Sequence, residues 1–254
     1  MGNKTSDKYL LWTYFGIDGT EDLEKIIAVA MEKAYLDATR QGSFNTRVRS
    51  EDRERIPKSS ALNTLSELIQ NTNTEDSYSQ WHSIVCDRLV EIYGHILTSS
   101  NNPAPAFTYG NAQKLVNMTI KDLYVIAKAS PKDSVFNKWY NEHLLRHESE
   151  FHIPIDNYVL QYLYNNDFND NQNVDECGGV IKIKEITENK SYYLSERTDC
   201  RNCFPWSKIA TYDIYQKLKQ SITNLYSDII SNYSSPIEWE TDIWTEIARL
   251  RNAN

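Results

Sequence analysis

Apolar residues recur three and four positions apart along most of the chain, and a chain with that spacing hides its apolar surface by packing helices side by side. Leu23, Ile26, Ile27, Ala30, Ala34, Tyr35 and Ala38 fall on one stripe, and Trp81, Ile84, Val85, Leu89, Ile92, Tyr93 and Ile96 fall on another within Ser77 to Leu97. A third run leads from Phe107 to Ala129, and Thr211 to Tyr233 and Ile237 to Arg251 follow late in the chain. Glycine is scarce, at 8 of 254 residues, which disfavours turn-rich sandwiches, barrels and phosphate-cradling glycine loops. The pattern predicts a mainly α protein, a single domain over 1–254 of about seven to eight helices.

Local signals fill in the rest. Thr20 stands where its hydroxyl can cap a helix start, with Glu21, Asp22 and Glu24 beside the positive end of the dipole. Leu10 to Phe15 reads as a strand or an extended segment, Ser60 to Gln70 as a further helix, and Asn101-Asn-Pro-Ala-Pro105 as a helix-ending connector. One stretch departs from the helical period. After Gly178 and Gly179, Val180 to Ile186 alternates, Thr187 to Lys190 forms a turn, and Ser191 to Leu194 returns, which predicts a small β-hairpin at about 179–195 within an inserted subregion, 177–203.

Composition bounds the partners and the compartment. A net charge of −8 opposes broad attraction to a phosphate backbone and leaves room only for a local patch. The arginine-dense stretch Arg47, Arg49, Arg53 and Arg55 is nearly neutralised by Glu51, Asp52 and Glu54, and reads as a solvated loop. No membrane-spanning apolar run and no signal-peptide pattern stand out, so a cytoplasmic location is expected. Met1 to Ser6 fits the loose N-myristoylation pattern, which matters only in a eukaryotic setting. The 17 tyrosines reflect either genomic base composition or a binding surface.

Three groups of residues carry candidate chemistry. Cys200-Arg-Asn-Cys203 has the spacing that lets two thiolates meet one zinc ion, and Cys177 stands at the other foot of the expected hairpin. A structural zinc there needs a fourth ligand, from His147, His152 or Asp175; the alternatives are reduced cysteines or, in an oxidising setting, a disulfide. Cys86, on an apolar helix face, reads as core.

The second group is Arg146-His-Glu-Ser-Glu-Phe-His152. An arginine followed by a histidine at this distance resembles the ribonuclease motif of HEPN domains, and the resemblance implies metal-free RNA cleavage by Arg146 and His152 in a toxin or defence system. The bare physical alternative is a polar helix end with cations near the negative end of the dipole.

The third group is Gly110-Asn-Ala-Gln-Lys114 opening a helix, followed by Ile153-Pro-Ile-Asp-Asn-Tyr-Val-Leu160. This order resembles the second half of the helix-hairpin-helix DNA glycosylase pattern. The resemblance implies phosphate binding at Gly110 and Lys114, and it puts Asp156 in the position of the catalytic aspartate. The family's Leu-Pro-Gly-x-Gly hairpin, its lysine nucleophile and its iron–sulfur cysteines are absent, which implies a divergent or inactive relative. By position alone, Asp156 after Pro154 is a helix cap. Ala112 to Asn117, Pro154-Ile-Asp156, Trp206 to Ile209 and Pro236 to Trp239 also resemble an uncharacterised bacterial family of cytoplasmic helical proteins, which implies no activity.

The sequence thus predicts an intracellular protein that engages DNA or RNA through a local patch. A metal-free ribonuclease is the alternative enzyme, and a non-catalytic module that binds a protein partner through exposed Tyr and Trp is the alternative outside enzymes.

Overall fold

The computed structural model describes residues 4–39, 63, 65–67, 69–70, 77–93, 107–156, 159, 162, 209 and 211–252. The described part is mainly helical, as the apolar spacing predicts. Its helices are α1 (Lys4–Phe15), α2 (Leu23–Thr39), α3 (Tyr78–Tyr93), α4 (Tyr109–Ala129), α5 (Val135–His143), α6 (Tyr212–Ile230) and α7 (Pro236–Asn252), with a 3-10 turn at Leu145–Glu150 after α5. The hairpin expected at about 179–195, and the subregion 177–203 around it, lie outside the described residues.

α4 is the axis of the described part. It packs against α1, α2, α3, α5 and α6, and it is buried nearly all round. Thr108 starts it with a reciprocal cap, its hydroxyl accepting from the Asn111 amide at 3.4 Å while Asn111 Oδ1 accepts from the Thr108 amide at 2.9 Å. Only Val125 and Lys128 of α4 are exposed, so Gln113, Lys114, Asn117, Lys121 and Asp122 are forced against neighbouring elements. Around it the apolar stripes meet in one core, in which Tyr109, Phe136, Tyr140, Tyr215 and Trp239 are among the largest enclosed side chains. Each such side chain contributes on the order of 1.5–3 kcal/mol on burial.

Two local expectations change. Leu10 to Phe15 is not extended but forms the second half of α1. Of its apolar residues only Leu11 is fully enclosed, while Tyr9, Leu10, Trp12 and Tyr14 face outward, so the run is continuous in sequence without being a two-sided buried strand. Gly16, at φ 70°, closes the helix, its amide donating to the Trp12 carbonyl at 2.9 Å. The start of α2 falls at Leu23 rather than Thr20, because Asp22 is the better acceptor: its Oδ1 takes the Lys25 amide at 2.7 Å. Thr20 instead donates its hydroxyl to Asp18, and Glu21 folds back onto the Asp18 and Gly19 amides.

The segment between α4 and His152 is itself helical, as α5 and the 3-10 turn. Ser134 caps α5 by accepting the Asn137 amide at 3.1 Å. Lys128 of α4 holds Glu148 of the turn at 2.8 Å, and the Tyr140 hydroxyl donates to the same carboxylate at 3.1 Å. Lys121 of α4 pairs with the fully buried Glu240 of α7, and the Tyr124 hydroxyl donates to Glu238 at 2.6 Å. Among the described residues no helix is long and apolar enough to cross a membrane.

Candidate functional site

The site begins with an extended stretch, residues 151–156, that is buried without lying in a sheet. Buried carbonyls need donors, and here α4 supplies them from two side chains one turn apart. Gln113 Nε2 donates to the carbonyls of Gly110 at 3.1 Å and Ile155 at 3.4 Å; Asn117 Nδ2 donates to Gln113 Oε1 and the Ile153 carbonyl, both at 3.0 Å. These contacts fix the backbone on either side of Pro154 and with it the position of His152.

His152 is buried and sits between α3 and α6. Its Nε2 lies 2.5 Å from Lys219 Nζ and 3.2 Å from Ser79 Oγ, and Lys219 donates to Ser79 Oγ at 3.4 Å. Its Nδ1 lies 3.0 Å from the Tyr215 hydroxyl, which also accepts from Asn117 Nδ2 at 3.2 Å. A second buried imidazole, His82, packs against it with ring centres 4.2 Å apart. Because Asn117 turns its Nδ2 toward three acceptors, its Oδ1 faces His82 at 2.8 Å, and His82 carries its proton on Nε2.

Burial sets the charges. It pushes His82 down to about 3, against a smaller upward pull from its bond to Asn117. It holds His152 well below the usual histidine range, helped by His82 and Lys219. Both rings are therefore neutral at pH 7. Burial also lowers Lys219, with Glu150 opposing, and raises the Tyr215 hydroxyl above the ordinary phenol range. Among the described residues no carboxylate stands within ion-pair distance of Lys219.

These groups form one end of a cavity of about 300 Å³. Ser79, His152, Tyr215 and Lys219 make its polar end, Glu150 adds a carboxylate to the lining, and Ile155, Ile222, Ile230, Pro236 and Trp239 make an apolar wall. An apolar pocket with a few convergent polar groups is the usual form of a small-ligand site, and the volume lies at the small end of that class. Chemically the polar end offers a cation for an anionic group, a neutral imidazole nitrogen for proton transfer, and a hydroxyl.

The residues singled out in the sequence fall in different surroundings. Lys114 and Asp156 do meet, at 3.6 Å with both side chains buried, and Asp156 Oδ1 also accepts the Val159 amide at 3.2 Å, as a helix cap does. Gly110 is buried, and its amide donates to the Ile209 carbonyl at 2.8 Å, so this donor is committed inside the protein rather than turned toward a phosphate. Arg146 is exposed on the 3-10 turn, its Nε directed at His147 at 2.9 Å, and it is not among the residues lining the His152 cavity. Cys177, Cys200 and Cys203 lie outside the described residues. Among the described residues no group of three or more His, Cys, Asp or Glu side chains is arranged to hold a metal ion.

Ser79, His82, Asn117, Tyr215 and Lys219 escape the sequence reading. Their signal is spacing: Ser79 and His82 are three apart on α3, and Tyr215 and Lys219 are four apart on α6, so each pair shares a face with apolar core residues. No protein-family model matches the chain, and neither a curated protein nor a solved structure matches it.

Proposed function

We propose that this is an intracellular nucleic-acid-engaging protein whose contact with its ligand is a single nucleotide held in the His152 cavity. The phosphate meets Lys219 and Ser79, and the base lies along the wall that includes Trp239. The observation that carries this reading is the ammonium of Lys219, half-buried at the cavity's polar end with no carboxylate within ion-pair distance among the described residues, although Glu150 lines the same cavity and acts on it from farther off. A cation in such surroundings favours an anion, and the apolar wall of the same cavity favours a flat, weakly polar group. The order of elements that resembles the DNA glycosylases is consistent with this ligand, with the phosphate contact moved from Gly110 and Lys114 to Lys219.

The net charge of −8 shapes the expected behaviour. With one or two cations neutralising phosphate, the affinity for a single strand should fall only weakly with salt, with a log–log slope of about −0.7 to −1.4. Filter binding of short single-stranded DNA and RNA at low salt tests this. Binding that is lost in Lys219→Met, with that shallow slope, supports the reading; no affinity for either strand at low salt ends it.

A second reading, the protein-interaction module, draws on α1. Tyr9, Leu10, Trp12 and Tyr14 are each 60% exposed or more there. It is the reading left if neither nucleic acid binds.

A further inference from the structure

The same cavity carries an arrangement that binding alone does not require, and its substrate class rests on the nucleotide reading. A hydroxyl beside an imidazole, with a third group on the far ring nitrogen, is the constellation that turns a serine into a nucleophile. Ser79 Oγ lies 3.2 Å from His152 Nε2, and His152 Nδ1 lies 3.0 Å from the Tyr215 hydroxyl. We propose that Ser79 is a nucleophile toward a phosphate ester bound in this cavity, with His152 as its base, Tyr215 positioning the ring, and Lys219 facing the non-bridging oxygens.

The competition at Nε2 explains how such a site is kept at rest. A neutral imidazole with its proton on Nδ1 has one lone pair on Nε2, and two donors face it: Lys219 at 2.5 Å and Ser79 at 3.2 Å. The shorter contact holds the lone pair. A phosphoryl oxygen competes for the ammonium, and the four-carbon stem of Lys219 lets Nζ follow it. Nε2 then passes to the Ser79 hydroxyl. Ser79 also stands in the first turn of α3, where the helix end favours a developing negative charge.

The step balances without a further reactant except water. Ser79 Oγ attacks phosphorus as its proton moves to His152 Nε2; the bond from phosphorus to the leaving oxygen breaks, and His152 returns the proton to that oxygen. Water then attacks the phosphoserine, giving a proton to Nε2, and Ser79 leaves and recovers it. The ammonium of Lys219 offsets the charge that builds on the non-bridging oxygens.

A fluorophosphonate probe tests the nucleophile directly, because it forms a serine–phosphorus bond with loss of fluoride. Incubated with the full chain and digested for mass spectrometry, it should label Ser79, and Ser79→Ala should abolish the label. His152→Gln, which keeps much of the ring's volume, should slow labelling at least about 100-fold while circular dichroism stays native. Tyr215→Phe should shift the pH midpoint of labelling downward, since an acceptor for Nδ1–H is lost, which a merely structural role would not do. No label on Ser79 in folded protein, or equal labelling in a folded His152→Gln, overturns the proposal. Label on Ser79 without affinity for single strands would retain the nucleophile and remove the nucleotide reading, whereas affinity without label would do the reverse.

Discussion

Asn117 Nδ2 lies 3.0 Å from the Ile153 carbonyl, and the same side chain offers its oxygen to His82 at 2.8 Å. One residue of α4 therefore holds both the extended segment that carries His152 and the imidazole packed on it. Replacing it by Leu keeps the volume but strands a buried carbonyl and a buried N–H. Asn117→Leu should cost about 3 kcal/mol in urea denaturation, since each orphaned group costs roughly 1–3 kcal/mol, and it should weaken ligand binding as His152 loses its support. A change within about 0.5 kcal/mol, the range of an ordinary surface substitution, would contradict this role.

Asp122 gives a pH signature with a definite sign. Burial raises its carboxyl to about 7, with Lys33 opposing and Asp37 adding to the rise, and Asp122 Oδ2 makes no hydrogen bond among the described residues. The folded protein thus holds this proton more tightly than the unfolded chain. The associated stability is full below an ordinary carboxylate value of ~4 and is lost as pH rises through about 7. His82, pushed down to about 3, works the other way: its contribution is full above roughly 6.5 and is lost as pH falls. The two slopes partly cancel between pH ~4 and ~6.5, so the difference between variants is the informative quantity. A tenfold change in proton affinity is worth about 1.4 kcal/mol, so Asp122→Asn should gain on the wild type by a few kcal/mol as denaturation is repeated from pH ~4 to ~8. A constant difference across that range would show that Asp122 is already ionised without penalty.

Lys121 and Glu240 tie α4 to α7, with the Glu240 side chain wholly enclosed. Removing one partner leaves an uncompensated charge in the core. Lys121→Met should destabilise by about 3–5 kcal/mol, and adding Glu240→Gln should restore most of it. A double-mutant cycle in chemical denaturation reads the coupling, and strictly additive losses would mean the pair contributes nothing.

Gly19 has φ 84°, and a Cβ built there would stand 2.5 Å from Ser130 Oγ and 3.0 Å from Ser130 Cβ. Strained backbone and close contact act together, so Gly19→Ala should lower stability by about 1–3 kcal/mol in thermal melts. Gly16, also at positive φ, meets nothing within 4 Å, so Gly16→Ala should cost less. Equal losses would mean the approach of Ser130 is unimportant.

The helices were legible because their apolar stripes repeat: α2, α3, α4, α6 and α7 can all be placed from Leu23, Trp81, Leu115, Tyr215 and Ile237 onward. α1 was not, since Leu10 to Phe15 exposes most of its apolar residues and anchors through Leu11. The site was legible only at His152. Its partners come from Ser79, Asn117, Tyr215 and Lys219, which are remote in sequence and carry no local motif. Buried polar residues inside apolar stripes mark such places, but which of them converge depends on helix packing that periodicity alone does not specify. Arg146 shows the converse, a residue near His152 in sequence and turned to His147 in space.

If a phosphate group draws Lys219 away from His152 within the cavity, the donor facing His152 Nε2 changes. Nitrogen-15 NMR of the ring of His152, one of five histidines, during titration with a phosphate-bearing dinucleotide measures this at the atom concerned. A saturable change at Nε2 is expected in the wild type and none in Lys219→Met. Binding that leaves the His152 ring nitrogens unmoved, or that proceeds equally in Lys219→Met, would contradict it.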